Sequence, residues 1–358
     1  MAEIEEKHME KNQLRIEEKE YVWEHPQSYW NQCHCSTLVV NEKGDLLVAY
    51  FAGTREGAPD LAIWLSRRIQ GVWQEPRKIA EAYGLCHYNP LLHYQDGRVW
   101  LFYKRGLDVP RWYTMVCHSD DFGANWTLPQ ELIPGDHTPR CSSKNKILVA
   151  QDGAWMGPCS VERERTWDCY IDISRDYGRT WEKHEIPFRH GEQEGEGIIA
   201  WEGIADLWEA NPEIVLKWDG VIQPSLWESR PGVFSCLMRS TRGKLYRSDS
   251  QDGGNTWCQA YATDLDNNNS GIDLVRLPNG TLVLVYNPVS GNWTFRSPLS
   301  ISLSRDDGKT WSKPWHLETE PGEFSYPAII YHEGWIHVTY TDRRKHIVYC
   351  KLGIRGEA

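Results

Sequence analysis

The sequence predicts an all-β fold, a six-bladed β-propeller with Asp-box repeats. Three observations carry this: a recurring eight-residue turn motif, a strand pair ahead of each copy, and a unit spacing of roughly 50 to 55 residues. The motif Ser-x-Asp-x-Gly-x-Thr-Trp is intact at Ser174–Trp181, Ser250–Trp257 and Ser304–Trp311. Ser119–Trp126 changes only the Thr, and Ser66–Trp73 keeps only the first and last residues, an eroded fifth copy. The motif makes physical sense as a tight turn: Asp accepts backbone N–H bonds, Gly supplies positive φ, and Trp packs between neighbouring sheets.

Ahead of the boxes lie hairpins such as STLVVNEKGDLLVAYFAG, NPLLHYQDGRVWLFYKRG and SGIDLVRLPNGTLVLVYNPV, each with a Gly-containing turn and a third strand running into the box. VIQPSLWESRPGVFSCLMRS and KNKILVAQDGAWMGPCSVE supply two more, and SYPAIIYHEGWIHVTYTDRRKHIVYCKL closes the series without a box. These make six units, the last completed by an N-terminal strand near Glu20 to His25. The domain reading is a charged segment over 1–19, with Glu3 to Glu20 suited to a helix, and a propeller over 20–358. An inserted loop at about 189–220 lengthens the interval between the boxes at Ser174 and Ser250.

Composition narrows the function. Hydrophobic residues make up 40% and charged residues 25%, enough for a sizeable core. The 19 Trp and 17 Tyr suit a propeller core or a surface that stacks on sugar rings. A net charge of -11 without clustered Lys and Arg argues against a nucleic-acid partner. No apolar run is long enough to span a membrane, and the start lacks the apolar stretch of a signal peptide, so a soluble, cytoplasmic protein is expected. The ten Cys are irregularly spaced, and Cys33 and Cys35 are too close for a typical zinc pattern. No disulfide and no metal are assigned. Without a Gly-rich dinucleotide loop, no cofactor is assigned either. The sequence says nothing of oligomeric state.

Hairpin geometry sorts residues by face. The start of a first strand and the end of the second share one end of the blade, opposite the boxes. First-strand starts bring His34, Tyr88, Asn89, Lys144 to Lys146, Gln223, Asn268 to Asp273, Ser325 and Tyr326. Second-strand ends bring Arg55 to Asp60, Lys104, Arg239, Asn287 to Arg296, and Asp342 to Arg344. From these, Arg239, Arg296, Arg55, Glu56, Asn89, Lys104, Lys146, Asn269, Asp273, Asn287 and Arg343 are the substrate-binding candidates. Paired Arg can hold an anionic sugar and amides can orient its hydroxyls. Strand-end Arg and Asp equally often make structural ion pairs, which is the plain alternative for any one of them. His87, His93, His118, His184, His190 and His332 read as ordinary surface or core residues, and Asn267 to Asn269 as a turn cap.

The boxes and strand layout resemble the sialidase superfamily from about Cys33 to Leu352. Within it the chain is similar to the bacterial and plant group loosely labelled sialidase or BNR-repeat proteins, through CHCSTLVV, GTREGAPDLAIWLSRR, NNNSGIDLVRLPNG and FSYPAII. The resemblance implies three Arg that clamp a substrate carboxylate, an Asp acid/base, and a Tyr nucleophile activated by a Glu. Arg239 in LMRST matches the second Arg, Arg296 in FRSPLSISLS the third, and Asp60 the acid/base. The chain departs from the pattern where His34 stands for the first Arg and Gln223 for the activating Glu. Tyr326 is the candidate nucleophile, with Phe324 one register earlier.

The catalytic candidates are therefore Asp60, His34, Tyr326 and Gln223. The expected function is an exo-acting glycoside hydrolase on the non-reducing end of an acidic oligosaccharide, with His34 as a base near neutral pH and Asp60 or Glu56 as acid. Two alternatives stand beside it: a lyase, with His34 and Tyr326 abstracting the proton next to a uronate carboxylate, and a non-catalytic carbohydrate-binding propeller. The expected partner is an oligosaccharide, with no nucleic acid and no membrane.

Overall fold

The computed structural model describes residues 14–163, 165–191 and 218–354. Among these the regular elements are strands, apart from short 3-10 turns at Pro26–Ser28 and Val109–Arg111. One sheet contains β2 (Gln32–Val40), β3 (Leu46–Gly53) and β4 (Ala62–Ile69), with β5 (Val72–Trp73) and β6 (Arg77–Ala80) both paired to β4. The next contains β7 (Cys86–Gln95), β8 (Arg98–Gly106), β9 (Tyr113–Ser119) and β10 (Gln130–Glu131). Then β11 (Leu148–Val149), β12 (Trp155–Glu162), β13 (Thr166–Ser174) and β14 (Glu182–Ile186) share an eight-stranded sheet with β15 (Asp219–Arg230), β16 (Val233–Ser240), β17 (Lys244–Ser250) and β18 (Tyr261–Asp266). A four-stranded sheet follows, of β19 (Asp273–Arg276), β20 (Leu282–Tyr286), β21 (Leu299–Ser304) and β22 (Trp315–Glu318). The last contains β23 (Phe324–His332), β24 (Trp335–Asp342), β25 (His346–Ile354) and β1 (Leu14–Tyr21).

The arrangement is all-β and propeller-like, but its strands do not form the six separate sheets that the repeats predict. The third and fourth repeat units are joined by a short parallel pairing of Thr166 with Asp219 and Trp167 with Gly220. A Cβ on Gly220 would lie 2.1 Å from the Trp167 carbonyl oxygen, so only glycine permits this approach. The N-terminal strand also differs from expectation. It runs from Leu14 to Tyr21 rather than near Glu20 to His25, and pairs antiparallel with β25 from Leu14–Ile354 to Tyr21–Val348. Pro26, which cannot donate to a ladder, opens the turn a few residues beyond it. The helix expected over Glu3 to Glu20 is thus replaced by strand from Leu14 onward, and its first part lies outside the described residues. So does most of the 189–220 insertion.

Each sheet buries its alternating residues against the next, as in the cluster of Leu47, Phe51, Ile63, Tyr88, Leu101 and Tyr103 between the first two sheets. All ten cysteines are free thiols, nine of them buried. No helix among the described residues is long and apolar enough to cross a membrane.

The boxes close their turns as the motif requires. Asp306 accepts from the Thr310 N–H (2.8 Å) and hydroxyl (2.6 Å), and the Ser304 hydroxyl accepts from the Gly308 N–H, where φ is 76°. These bonds, the Thr310 hydroxyl first, hold the Asp306 carboxyl down at about 2. The box Trp181 meets both Trp155 of its own sheet and Phe102 of the preceding one, at ring separations of 6.4 Å. The eroded copy makes a two-residue hairpin turn instead, with Gln70 at φ 50° and Gly71 at 79°. Removing the carboxylate by Asp306→Ala should cost about 1–2 kcal/mol in urea unfolding, the usual worth of lost charge-assisted bonds at an exposed turn.

Candidate active site

The ladder registers fix which ends of the strands meet. The boxes begin at Ser119, Ser174, Ser250 and Ser304, each paired with an early residue of the second strand of its unit: Val99, Trp155, Phe234 and Leu282. The opposite end collects first-strand starts and second-strand ends, and a pocket opens there. Its walls include Glu56, Asn89, Glu162, Gln223, Arg239, Arg296, Tyr326 and Arg344, with Trp112, Trp167, Trp218 and Trp293.

A backbone kink recurs from unit to unit, and at Asn89, Gln223 and Tyr326 it falls on the pocket wall. Cys35, Asn89, Cys141, Gln223, Asn269 and Tyr326 have φ between 41° and 63°, one in or just ahead of the first strand of each repeat unit. At Cys35, Asn89, Gln223 and Tyr326 the kink falls within a register shift of the ladder, the signature of a bulge that re-aims a side chain.

Tyr326 stands at the centre. The guanidinium of Arg239 lies 5.4 Å from its ring centre, that of Arg296 5.5 Å, and the ammonium of Lys144 5.8 Å. The ring of His34 packs against it at 4.2 Å. Arg239 Nη1 donates to the Tyr326 hydroxyl (2.6 Å) and to Gln223 Oε1 (3.2 Å), and its Nε donates to Asn269 Oδ1 (3.0 Å). Glu323 links the other two Arg, accepting from Arg296 Nη1 at 2.5 Å and Arg344 Nε at 2.9 Å. Arg344 also pairs with Glu56. Burial opposes ionisation of Glu323, but the guanidiniums of Arg344 and Arg296 hold its carboxyl well below the usual range.

Charges in the pocket do not cancel evenly. Arg296 and Arg344 are matched by Glu323 and Glu56, whereas Arg239, only 1% exposed, meets only neutral partners among the described residues. Glu162 ends β12 with its Oε1 occluded and without a hydrogen bond among the described residues. Burial, with Glu56 adding and Arg239 opposing, raises its carboxyl to about 7.

Of the sequence candidates, Arg239, Arg296, Tyr326, Gln223, Glu56 and Asn89 come together on the pocket wall, and Asn269 holds Arg239 from behind. His34 does not reach the wall. It is 1% exposed beneath Tyr326, its Nδ1 bonded to the Thr341 hydroxyl, and burial, reinforced by Arg344, pushes its pKa well below the usual value. A base titrating near neutral pH is therefore not what His34 supplies. Asp60 stays on the outer loop, its Oδ2 accepting from the Thr54 N–H (3.0 Å) and hydroxyl (2.7 Å), and Arg55 beside it faces out.

Four further candidates are tied up by partners within the protein, three of them buried. Lys104 is buried and donates to the Thr114 hydroxyl and the Arg140 carbonyl, both at 2.7 Å. Lys146 pairs with Asp273 at 2.8 Å, and Asp273 also accepts from Ser225 and the Ile329 N–H. Asn287 ties down the carbonyls of Pro298 and Phe324. Arg343 turns to Asp342 and the Pro321 carbonyl, away from the pocket that its neighbour Arg344 enters. The residues missed outright are Glu162, Glu323 and the four tryptophans. Glu162 had a usable signal, since it ends a second strand as Lys104 and Arg239 do.

A model of BNR repeat-like domains matches residues 44–338. The chain belongs to the BNR repeat-like family. Solved structures that share the fold of this BNR repeat-like chain include sialidases. A protein of unknown function from Dyadobacter fermentans is 16% identical, with a TM-score of 0.70 over 96% of this chain and 99% of that one. A Hadza microbial sialidase is 17% identical, with a TM-score of 0.70 over 93% and 68% of the two chains. The NanB sialidase of Streptococcus pneumoniae is 13% identical, with a TM-score of 0.68 over 90% and 68%. At such identities the likeness is one of fold. No curated protein matches the chain significantly.

Proposed function

We propose that this BNR repeat-like protein is a glycoside hydrolase that removes a carboxylate-bearing sugar from the end of an oligosaccharide. The observation that carries the reading is Arg239: a buried guanidinium with neutral partners is costly unless an anion joins it, and this one faces a pocket. A sugar carboxylate matches a guanidinium bidentately. The aromatic wall supports sugar as the ligand, with Trp167 and Trp218 at 5.2 Å and Trp218 and Trp293 at 6.3 Å offering faces to a ring. Tyr326 lines the pocket with the buried Lys144 packed behind its ring, a backing that favours a chain end over the middle of a polymer.

The same reading takes the propeller as six-bladed, the eight-stranded sheet being two blades bridged at Gly220, since each of the six repeat units carries its own kinked position. Free thiols fit a reducing compartment, which supports a cytoplasmic location and short, imported substrates.

Elimination is the second reading, and one contact favours it. A carboxylate held by Arg239 would lie beside the Tyr326 oxygen, where a base could take the proton next to that carboxylate. Incubation with sialosides, uronic-acid oligosaccharides and neutral rhamnosides, followed by mass spectrometry and ultraviolet absorbance, separates the readings. Hydrolysis adds the mass of water to acidic substrates without new absorbance. Absorbance without water gain means elimination, and binding without turnover means a carbohydrate-binding module.

A further inference from the structure

Among the described residues three carboxyl side chains line the pocket, Glu56, Asp108 and Glu162, and their surroundings differ. Asp108 is committed to Arg111, whose side chain and N–H both donate to it, and it caps the turn Val109–Arg111. Glu56 is the ion-pair partner of Arg344. Glu162 has neither a cation nor a donor on its occluded Oε1 among the described residues. Its position is set by the β12–β13 ladder, where it pairs with Trp167 of the aromatic wall. Among the described residues the charged groups that act on it are Arg239 and Glu56, while Arg163 turns to Asp168 at 3.6 Å.

We propose that Glu162 is the general acid of this pocket, with Glu56 as the acceptor of the attacking water's proton, in place of the loop carboxylate Asp60. The inference rests on the hydrolase reading above. A carboxyl that stays protonated near neutral pH beside one that is ion-paired is the division of labour that glycoside hydrolysis needs. In the step, the bond between the anomeric carbon and the leaving oxygen breaks, and its electron pair goes to that oxygen, which takes the Glu162 proton. A water oxygen forms the new bond to the anomeric carbon and gives its proton to Glu56. Exchange with solvent returns a proton to Glu162 and removes one from Glu56, so the net change is glycoside plus water to sugar plus alcohol. Asp60 takes no part, since its carboxylate is occupied by Thr54 outside the pocket.

The test compares the full-length protein with Glu162→Gln on an oligosaccharide it cleaves and on a nitrophenyl glycoside of the same sugar, whose leaving group needs no proton. The expected result is a kcat loss of about 10²- to 10⁴-fold on the oligosaccharide with KM little changed, and near-normal turnover of the nitrophenyl substrate. The basic limb of the wild-type kcat profile, near pH 7, should vanish in the variant. Asp60→Asn should lose less than about tenfold on either substrate, because it removes no proton donor from the site.

A second measurement needs no substrate. The folded Glu162 carboxyl lies above its unfolded value of 4.5, so its stabilising contribution is complete below pH 4.5 and is lost as pH rises through about 7. Glu162→Gln should therefore gain stability relative to wild type between those pH values. Equal losses on both substrates, a surviving basic limb, or a pH-independent stability difference would overturn the assignment. If wild type binds acidic sugars but hydrolyses none, the hydrolase reading itself falls and this inference with it.

Discussion

Replacing Arg239 by Ala should lower kcat/KM on acidic glycosides by on the order of 10²- to 10³-fold, the usual cost of removing a fixed charge from a dry site. Its guanidinium is already oriented by Asn269, Gln223 and Tyr326, so little rearrangement is needed when an anion arrives. Arg239→Lys should recover only part of the loss, because an ammonium keeps the charge but cannot span three partners and still grip a carboxylate. Stability should move the other way. Without ligand, Arg239 is a buried cation lacking an anion among the described residues, so Arg239→Met should hold or raise the melting temperature while activity collapses. A parallel fall of both would mean that Arg239 is a structural residue. Calorimetric melting beside steady-state kinetics reads the difference.

Glu323→Gln should have the largest effect on stability of any single change at the site, about 3–5 kcal/mol in denaturant unfolding, because it strips the shared carboxylate from two buried guanidiniums. The pH dependence gives an independent check. The folded Glu323 carboxyl sits below its unfolded value of 4.5, so its contribution is present above that value and is lost as pH falls through the folded one. Wild type should therefore lose stability below about pH 4.5, and Glu323→Gln should lose less over the same range. Parallel curves would show that Arg296 and Arg344 do not depend on Glu323.

The fold was legible because its signals are local and repeated. A box of eight residues specifies its own turn, and Asp306, Thr310, Ser304 and Gly308 meet as the motif implies. What escaped was long-range. The parallel bridge at Gly220 depends on two backbones approaching from different units, and the bounds of the N-terminal strand that completes the last unit, Leu14–Tyr21 rather than Glu20 to His25, are set by partners more than three hundred positions away. Neither leaves a periodic trace.

The site was legible where position at the start of a first strand or the end of a second strand is enough, as at Gln223, Tyr326 and Arg239. It failed where the chain leaves the ladder. Arg343 and Arg344 have φ of 46° and 55°, so alternation gives no rule for which of them faces inward, and the structure turns Arg344 to the pocket. Lys104 and Lys146 are drawn inside by carbonyls and by Asp273, partners that strand position alone does not reveal. His34 stands at the expected place but is covered by Tyr326, so its burial, not its position, decides its protonation. Glu162 ends the second strand of the third unit where Lys104 and Arg239 stand near the ends of theirs, so its place on this face follows from strand position while its lack of an ion pair does not.

The most direct test of the account is calorimetric binding of one sugar in two forms, as the free carboxylate and with that carboxylate reduced to an alcohol, to wild type and to Arg239→Met. The expected result is at least about tenfold tighter binding of the acid by wild type, roughly the worth of one charge-assisted bidentate pair, and no preference in the variant. Equal binding of both forms by wild type would contradict the claim that Arg239 holds a sugar carboxylate.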